Sequence, residues 1–543
     1  MYCCRDNVTN MEATEFMFGP LMASFLIGVA VIFLIYRYST SRQSYWKNKG
    51  VPHVKPFFLL GSVLENISQP LHDTELNRYK KYGAIYGHFE GNRPLISIAD
   101  PTLLRDIFVK DFQFFTGRRQ FGNGNPIVEK MLSVVNGEDW KRIRTIVTPT
   151  FTTGKIKRMI SIFKDCSKTL VENFRKFAEK GQPVEAKTIY GTFTMDIIAS
   201  SAFSTKIDSH NDPNNIFVQT AKAVFKRNIS WRFVLFVLWP SFMRFFRIAV
   251  FAPGPLHFFT EVTHQIIEER KKTGKTRNDF LQLLLDTAKD VSKEETSDAS
   301  EKETGDIAQN YNDDDHHHHV LKEIYSKKNL SLDELVAQCV IFFLAGYDTT
   351  ASTLAFATYN LALNPDVQDK LIAEIDDAVK ENNGELTYDA IQSMKYLDNV
   401  ISETLRLYPP AIRTERVADA DYKLGDTGIT VPKGMVVTTP VYAIHRDPKY
   451  YPEPEKFNPD RFNPEERAKR EQYTFLPFGA GPRNCVGMRF ALMEIKVCLA
   501  EVLRNFRIKR CPQTKVPLEF FIGQGLLQPK DITVQLEIRK DKV

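Results

Sequence analysis

Cysteine is scarce in this 543-residue chain: seven copies, an odd number, scattered from Cys3 to Cys511. That spacing excludes a disulfide framework and fits a reducing compartment for the main body. No Cys-x-x-Cys occurs, with or without a following histidine, so neither a structural zinc site nor covalently attached haem is encoded. No Gly-x-Gly-x-x-Gly follows a strand-like run, which leaves the chain without a flavin or nicotinamide domain of its own. The net charge of +6 is small and no arginine-rich tract exists, so nucleic acid is excluded as a partner. Phenylalanine, by contrast, is abundant at 40 copies, as a large apolar interior or pocket requires.

Long uncharged runs are also few. Residues 16–36 (FMFGPLMASFLIGVAVIFLIY) form one of them and read as a transmembrane helix, since about 1.5 Å per residue matches a hydrocarbon core of about 30 Å. Arg5, Asp6, Glu12 and Glu15 precede it; Arg37, Arg42, Lys47 and Lys49 follow it. The positive-inside bias then places the bulk of the chain in the cytosol, and the acidic flank argues against a cleaved signal peptide. The expected organisation is a lumenal segment 1–15, an anchor 16–36, a basic, proline-containing linker 37–56 and one large domain 57–543. That domain is expected to be mainly α with small β-sheets. Within it, residues 287–328 are charged and poor in apolar residues, including the run His316–His319, and are expected to form a disordered loop.

Ser331-Leu332-Asp333-Glu334 is a capping box that opens a helix expected to run to Asn364, where Pro365 stops it. The helix is apolar on nearly every side, so it belongs in the centre of a large fold. A polar island, Ala345-Gly346-Tyr347-Asp348-Thr349-Thr350, interrupts it. Two readings stand side by side. Both threonines can bond back to carbonyls one turn earlier; or the Ala-Gly step leaves room for a flat ligand while acid and alcohol pass protons into a dry cavity. A later helix carries Glu403 and Arg406 on one face, a pair costly to break if buried.

The decisive stretch is FGAGPRNCVG, Phe478 to Gly487. Cys485 directly precedes an apolar helix whose amino-terminal amides would stabilise a thiolate. Gly479, Gly481 and Gly487 let backbone approach a planar macrocycle. Phe478 can shield the sulfur and Arg483 can reach an acidic cofactor edge. Haem with a cysteine axial ligand fits this apparatus.

These three stretches, in this order, resemble the cytochrome P450 fold, a haem-thiolate monooxygenase. FTGRRQFG, EDWKRIRTIVTPTFTTGKIKRM, RTERV, FNPDRF and GLLQP place the resemblance in the microsomal branch of the family-three drug-oxidising enzymes and thromboxane synthase. The resemblance implies haem b with Cys485 as the iron ligand and Phe478 packed against it. It implies that Trp140, Arg144, Arg118, Arg413 and Arg483 hold the haem propionates, as guanidinium forks suit carboxylates. Glu403, Arg406 and Arg461 would form a structural triad. Asp348 and Thr349 would deliver protons to bound O₂. NADPH would act only through a membrane-bound reductase, with cytochrome b5 as a second possible electron donor, on a basic face that includes Lys141, Arg142, Lys155, Lys157 and Arg158. The aromatic, basic stretch 229–259 would either dip into the endoplasmic reticulum membrane beside the substrate entrance or form a buried helical hairpin. With Phe342, Phe343, Leu344 and the loop GQGLLQP, it implies lipophilic substrates such as steroids, fatty acids or foreign compounds. A rearrangement enzyme of the thromboxane-synthase kind and a non-enzymatic haem-binding membrane protein are the alternatives.

Overall fold

The computed structural model describes residues 6–541 apart from 121–123, 291–329 and scattered positions between 206 and 278. Most of the predicted loop 287–328 therefore lies outside the described residues. Its first four positions continue the helix Phe280–Asp290 instead of leaving it.

The expected α-dominated fold with small sheets is what forms. Its axis is the helix Leu332–Leu363, capped as the sequence predicts: the Ser331 hydroxyl accepts the Glu334 amide at 3.2 Å and the Glu334 carboxylate accepts the Ser331 amide at 2.8 Å. This helix and the amino-terminal one are both long and apolar enough to cross a membrane, and burial separates them. The most apolar stretch of the central helix is 67% buried inside the protein, against 6% for Met22–Thr40. The central helix packs against Ala186–Phe203, where glycine permits close approach. A Cβ on Gly346 would lie 3.0 Å from Ile198 Cδ1, and one on Gly191 would lie 3.2 Å from the Tyr347 hydroxyl. The smallness of Gly346 thus serves helix packing, and both Ala345 and Gly346 line a cavity.

The main sheet has four strands. Ile85–Glu90 pairs antiparallel with Arg93–Ile98, which runs parallel to Val436–Thr439; the far edge of Val436–Thr439 carries Thr414–Val417, antiparallel. A three-stranded sheet joins Val184–Glu185, Thr533–Ile538 and Phe506–Lys509. The helix Met488–Asn505, which follows Cys485, lies between these sheets in sequence and packs on the central helix through Phe490 and Phe342, 5.4 Å apart.

The amino-terminal helix spans Asp6–Thr40 and overruns the predicted anchor at both ends. The linker 37–56 is also not a free spacer. Trp46 is buried, its Nε1 donates to the His88 carbonyl at 3.3 Å, and its ring fills the space a Cβ on Gly87 would need. Val51 and Val54 are buried with it. An indole has enough apolar area to dock a segment whose prolines suggested only stiffness.

Candidate active site

The loop before the helix Met488–Asn505 is shaped by two glycines in the left-handed region, Gly479 at φ 72° and Gly481 at φ 70°. A Cβ on Gly481 would sit 1.8 Å from the Phe108 carbonyl oxygen, so this glycine admits protein backbone and not a macrocycle. The Cys485 amide donates to the Phe478 carbonyl at 2.9 Å, which closes the loop beneath Cys485. Gly487 caps the helix. Burial pushes the Cys485 thiol up, while the Gly487 amide bonded to the sulfur and the Arg144 and Arg118 guanidiniums pull it back toward ionisation. The residue is exposed to the cavity it lines.

This loop is tied to the buried pair behind it. Glu403 and Arg406 are fully buried and bonded at 2.7 and 2.9 Å; Arg461 lies 3.4 Å from the same carboxylate. Arg406 donates to the His445 carbonyl at 2.8 Å, and His445 Nε2 accepts the Leu476 amide at 2.8 Å. That acceptor role fixes the tautomer, so Nδ1 carries the proton and donates to the Arg406 carbonyl at 3.1 Å. Burial, helped by Arg406, lowers the imidazole to about 3, so it stays neutral. Leu476 opens the cysteine loop, and sequence reading missed His445 as the link. Removing the ring in His445→Leu leaves a buried amide without an acceptor. About 1–3 kcal/mol of stability is the expected loss, measured as a lower thermal midpoint.

Arg118, Arg144, Arg483 and Trp140 all line one cavity of about 1030 Å³. Their partners are backbone or amide oxygens. Arg118 bonds the Arg483 carbonyl at 3.1 Å; Arg144 bonds Asn484 at 2.9 and 2.7 Å; Arg483 bonds the Val135 carbonyl at 2.7 Å and Asn136 at 3.0 Å. Arg483 stacks on Trp140, 4.4 Å from the ring centroid, and two of its nitrogens have no partner. Burial holds Arg144 down to about 10 and, with Arg118 beside it, Arg483 down to about 9 

Arg413 differs from these. It lines the same cavity but is committed to Glu75 at 3.1 Å and Glu90 at 3.5 Å, in a charge cluster that includes Arg119 and Glu415. Arg416, on the same strand, lies outside the cavity wall and bonds the Glu415 and Ala480 carbonyls. It is buried, its Nε has no partner, and it joins the group: burial, then Arg118 and Arg483, push it well below the usual guanidinium range. Period-2 alternation along Thr414–Val417 could have found it, because Glu415 and Arg416 must face opposite sides. Within the acid cluster, burial raises Glu90, but Arg119 and then Arg413 outweigh it and bring it down to about 2. The stability this provides is complete above the ordinary carboxylate value and is lost as pH falls toward 2. Glu90→Gln should flatten that acid limb in a thermal-midpoint titration.

The polar island splits. Thr349 lines the cavity and donates back to the Ala345 carbonyl at 2.7 Å, whereas the Thr350 hydroxyl, also in the cavity wall, has no partner. Back-bonding therefore accounts for one threonine and not both. Asp348 is buried outside the cavity wall, accepts from Gln528 at 2.7 Å and pairs with Lys187 at 3.2 Å. Phe342, Leu344 and Gly523 to Leu526 line the cavity, but Phe343 turns away and stacks on Phe203, 4.8 Å between centroids. Of the basic residues expected to meet a reductase, Lys141 pairs with Glu138, Arg142 with Asp139 and Glu334, and Lys157 with Asp389.

The cavity thus offers one cysteine sulfur, an apolar wall and three guanidiniums, those of Arg118, Arg144 and Arg483, that make no ion pair with a carboxylate among the described residues. Uncompensated buried cations are costly. A flat ligand carrying two carboxylates and a thiolate-binding metal answers both features, so the residues fit haem and define a haem-thiolate protein.

Comparison with known proteins agrees. The cytochrome P450 family model matches residues 51–313 and 299–536. Cytochrome P450 3A5 of Homo sapiens is 40% identical over 523 residues, 95% of this chain and 96% of its own. Cytochrome P450 3A31 of Mesocricetus auratus is 39% identical, with 95% and 97% covered, and cytochrome P450 3A13 of Mus musculus is 38% identical, with 96% and 97% covered. The chain belongs to the cytochrome P450 family and is similar to its family-three members. It is a monooxygenase, and its cofactor is thiolate-ligated haem b, with NADPH as the indirect electron source.

Proposed function

We propose that this monooxygenase oxidises lipophilic molecules bound against Phe342, Leu344, Ala345 and the loop Gly523–Leu526. The observation that carries this reading is the meeting, in one cavity, of Cys485, the guanidiniums that lack carboxylate partners and an apolar wall. Cys485 would supply the thiolate that binds the haem iron, with Phe478 beside it in the cavity wall. Arg118, Arg144, Arg483 and Trp140 would hold the cofactor's carboxylates, Arg416 would add positive charge outside the wall, and Arg413 braces that group through its acid cluster. When bound, haem with a thiolate ligand activates O₂ and places one oxygen atom on the substrate. Thr349 presents its hydroxyl to the cavity. Asp348, with Lys187 and Gln528 behind it, holds the proton supply on the outer side of the same helix turn.

The electrons come from a separate NADPH-dependent reductase, and cytochrome b5 is a further candidate donor. Exposed Lys157 and Arg158 lie on the face offered to them. The protein sits in the endoplasmic reticulum membrane by one helix, with the catalytic domain in the cytosol. Trp239, Phe242, Phe245 and Phe246, all exposed, add a second contact with lipid beside the entrance.

A substrate screen that reads displacement of the cofactor's spectrum, followed by NADPH-driven turnover with reductase, tests this reading. Lipophilic steroids or foreign compounds should shift the spectrum and yield products one oxygen heavier; turnover without NADPH would contradict it. Two variants sharpen the residue roles. Thr349→Ala should keep the thiolate spectrum but divert electrons into peroxide, with product formation falling by up to about 10²-fold, the scale of general acid catalysis. Arg416→Met should release haem to apomyoglobin faster than Arg413→Met, because only the first removes a guanidinium without a carboxylate partner.

A further inference from the structure

The amino-terminal helix does not hang free of the folded domain. Ser39, in its last turn, is buried, and its hydroxyl accepts the Leu59 amide at 2.7 Å. The Tyr38 carbonyl accepts from Asn92 Nδ2 at 3.1 Å, so the end of the helix rests on the turn Gly91-Asn92 between the first two strands. Arg93 follows that turn. Its guanidinium lies 5.7 Å from the ring of Phe236, a buried residue of the aromatic stretch that leads into the helix Pro240–Phe245. Three parts of the molecule therefore converge at Arg93.

This arginine is left without a polar partner. Its Nε and Nη2 are enclosed and make no hydrogen bond among the described residues. Glu90, three residues earlier, is taken by Arg119 and Arg413. Burial holds Arg93 below the usual guanidinium range; Glu90 offsets part of this, and Arg119 and Arg244 add to it. An enclosed, uncompensated guanidinium is costly unless an anion joins it. Arg93 is only partly buried, which leaves Nη1 open to a ligand from outside the fold. Arg244, exposed on the short helix, supplies a second cation. The cavity wall does not include Arg93, so the anion is not the cavity's own occupant. The uncharged run of the anchor ends at Tyr36, which brings Tyr38 and the turn beneath it to the headgroup layer of a bilayer. The anion common to that layer is the phosphate of a phospholipid, and guanidinium groups pair with phosphate strongly and directionally.

We propose that Arg93 and Arg244 together hold the phosphate of one phospholipid between the end of the anchor and the helix Pro240–Phe245. The bound lipid joins the anchor to the aromatic stretch across the turn Gly91-Asn92. It thereby fixes how that stretch, whose Phe236 lines the cavity, is seated on the membrane. This role rests on the lipid contact proposed above for Trp239 and Phe245.

Native mass spectrometry of the full-length, haem-loaded protein released from nanodiscs tests the site. The discs hold phosphatidylcholine and digalactosyldiacylglycerol in equal amounts; neither carries net charge, so general attraction to an anionic surface plays no part. One phosphatidylcholine should be retained in preference to the galactolipid by about tenfold, the weight of one charge-assisted hydrogen bond. Arg93→Gln should abolish that preference and Arg244→Gln should lower it. Arg244 is exposed, so its variant tests the site free of any effect on folding. Arg37→Gln, which removes an exposed charge from the end of the same anchor, should keep the preference. No preference in the parent protein, or an equal loss in Arg37→Gln, overturns the proposal. Inorganic phosphate in excess should not displace the lipid; if it does, the site belongs to the free ion. Quenching of Trp239 fluorescence by brominated lipid reports the underlying membrane contact separately. Quenching without lipid retention refutes the phosphate site alone, whereas absence of quenching refutes the contact on which it rests.

Discussion

Cys485→Ser should abolish both turnover and the red-shifted carbon monoxide band that marks a thiolate opposite the gas. A serine hydroxyl in the same loop keeps the Phe478 carbonyl bond to the 485 amide, because that bond uses only backbone. It therefore keeps the fold and loses the ligand. A thiol ionises far more readily than an alcohol, and here the Gly487 amide, Arg144 and Arg118 offset part of what burial costs the ionised form. Activity should fall by at least about 10³-fold, equivalent to roughly 4 kcal/mol of barrier. The measurement is difference absorbance of reduced protein with and without carbon monoxide, alongside circular dichroism to confirm folding. A variant that folds and keeps the thiolate band would contradict the assignment.

The second large effect is structural. Glu403→Gln breaks one side of a pair with no exposure on either partner and leaves Arg406 and Arg461 sharing an uncharged amide. Removing one member of a buried ion pair costs about 3–5 kcal/mol, a large part of the roughly 5–15 kcal/mol by which domains are stable. The loss should also reach the cofactor, since Arg406, His445 and Leu476 form a continuous hydrogen-bonded path to the cysteine loop. Expected results are a thermal midpoint lower by about 10 °C and haem content well below one per chain. Lys370→Gln serves as the control: its pair with Asp460 is exposed on both sides and should contribute no more than about 1 kcal/mol. Equal midpoints for the two variants would show that burial of the triad carries no energetic consequence.

Local signals were legible wherever one residue type answers one physical need. The capping box, the stop at Pro365 and the pairing of Glu403 with Arg406 all follow from short patterns. What escaped needed three-dimensional partners. Arg413 and Arg416 look alike in sequence; only the acids Glu75 and Glu90, more than 300 residues away, commit the first and leave the second without a carboxylate. Gly346 and Gly481 could be recognised as places of close approach, but whether a ligand, Ile198 or the Phe108 backbone approaches is a tertiary fact. Trp46 reads as part of a linker because nothing near it in sequence reveals the space above Gly87. Phe343 falls on the wrong side of a helix whose apolar residues surround it completely, so periodicity has no face to choose.

Iron-edge X-ray absorption on the purified, haem-loaded protein tests the central claim most directly. Sulfur should appear as an axial scatterer beside the porphyrin nitrogens, and Cys485→Ser should replace it by a lighter atom. An iron centre without sulfur in the parent protein, or one that retains sulfur in the variant, would contradict the account.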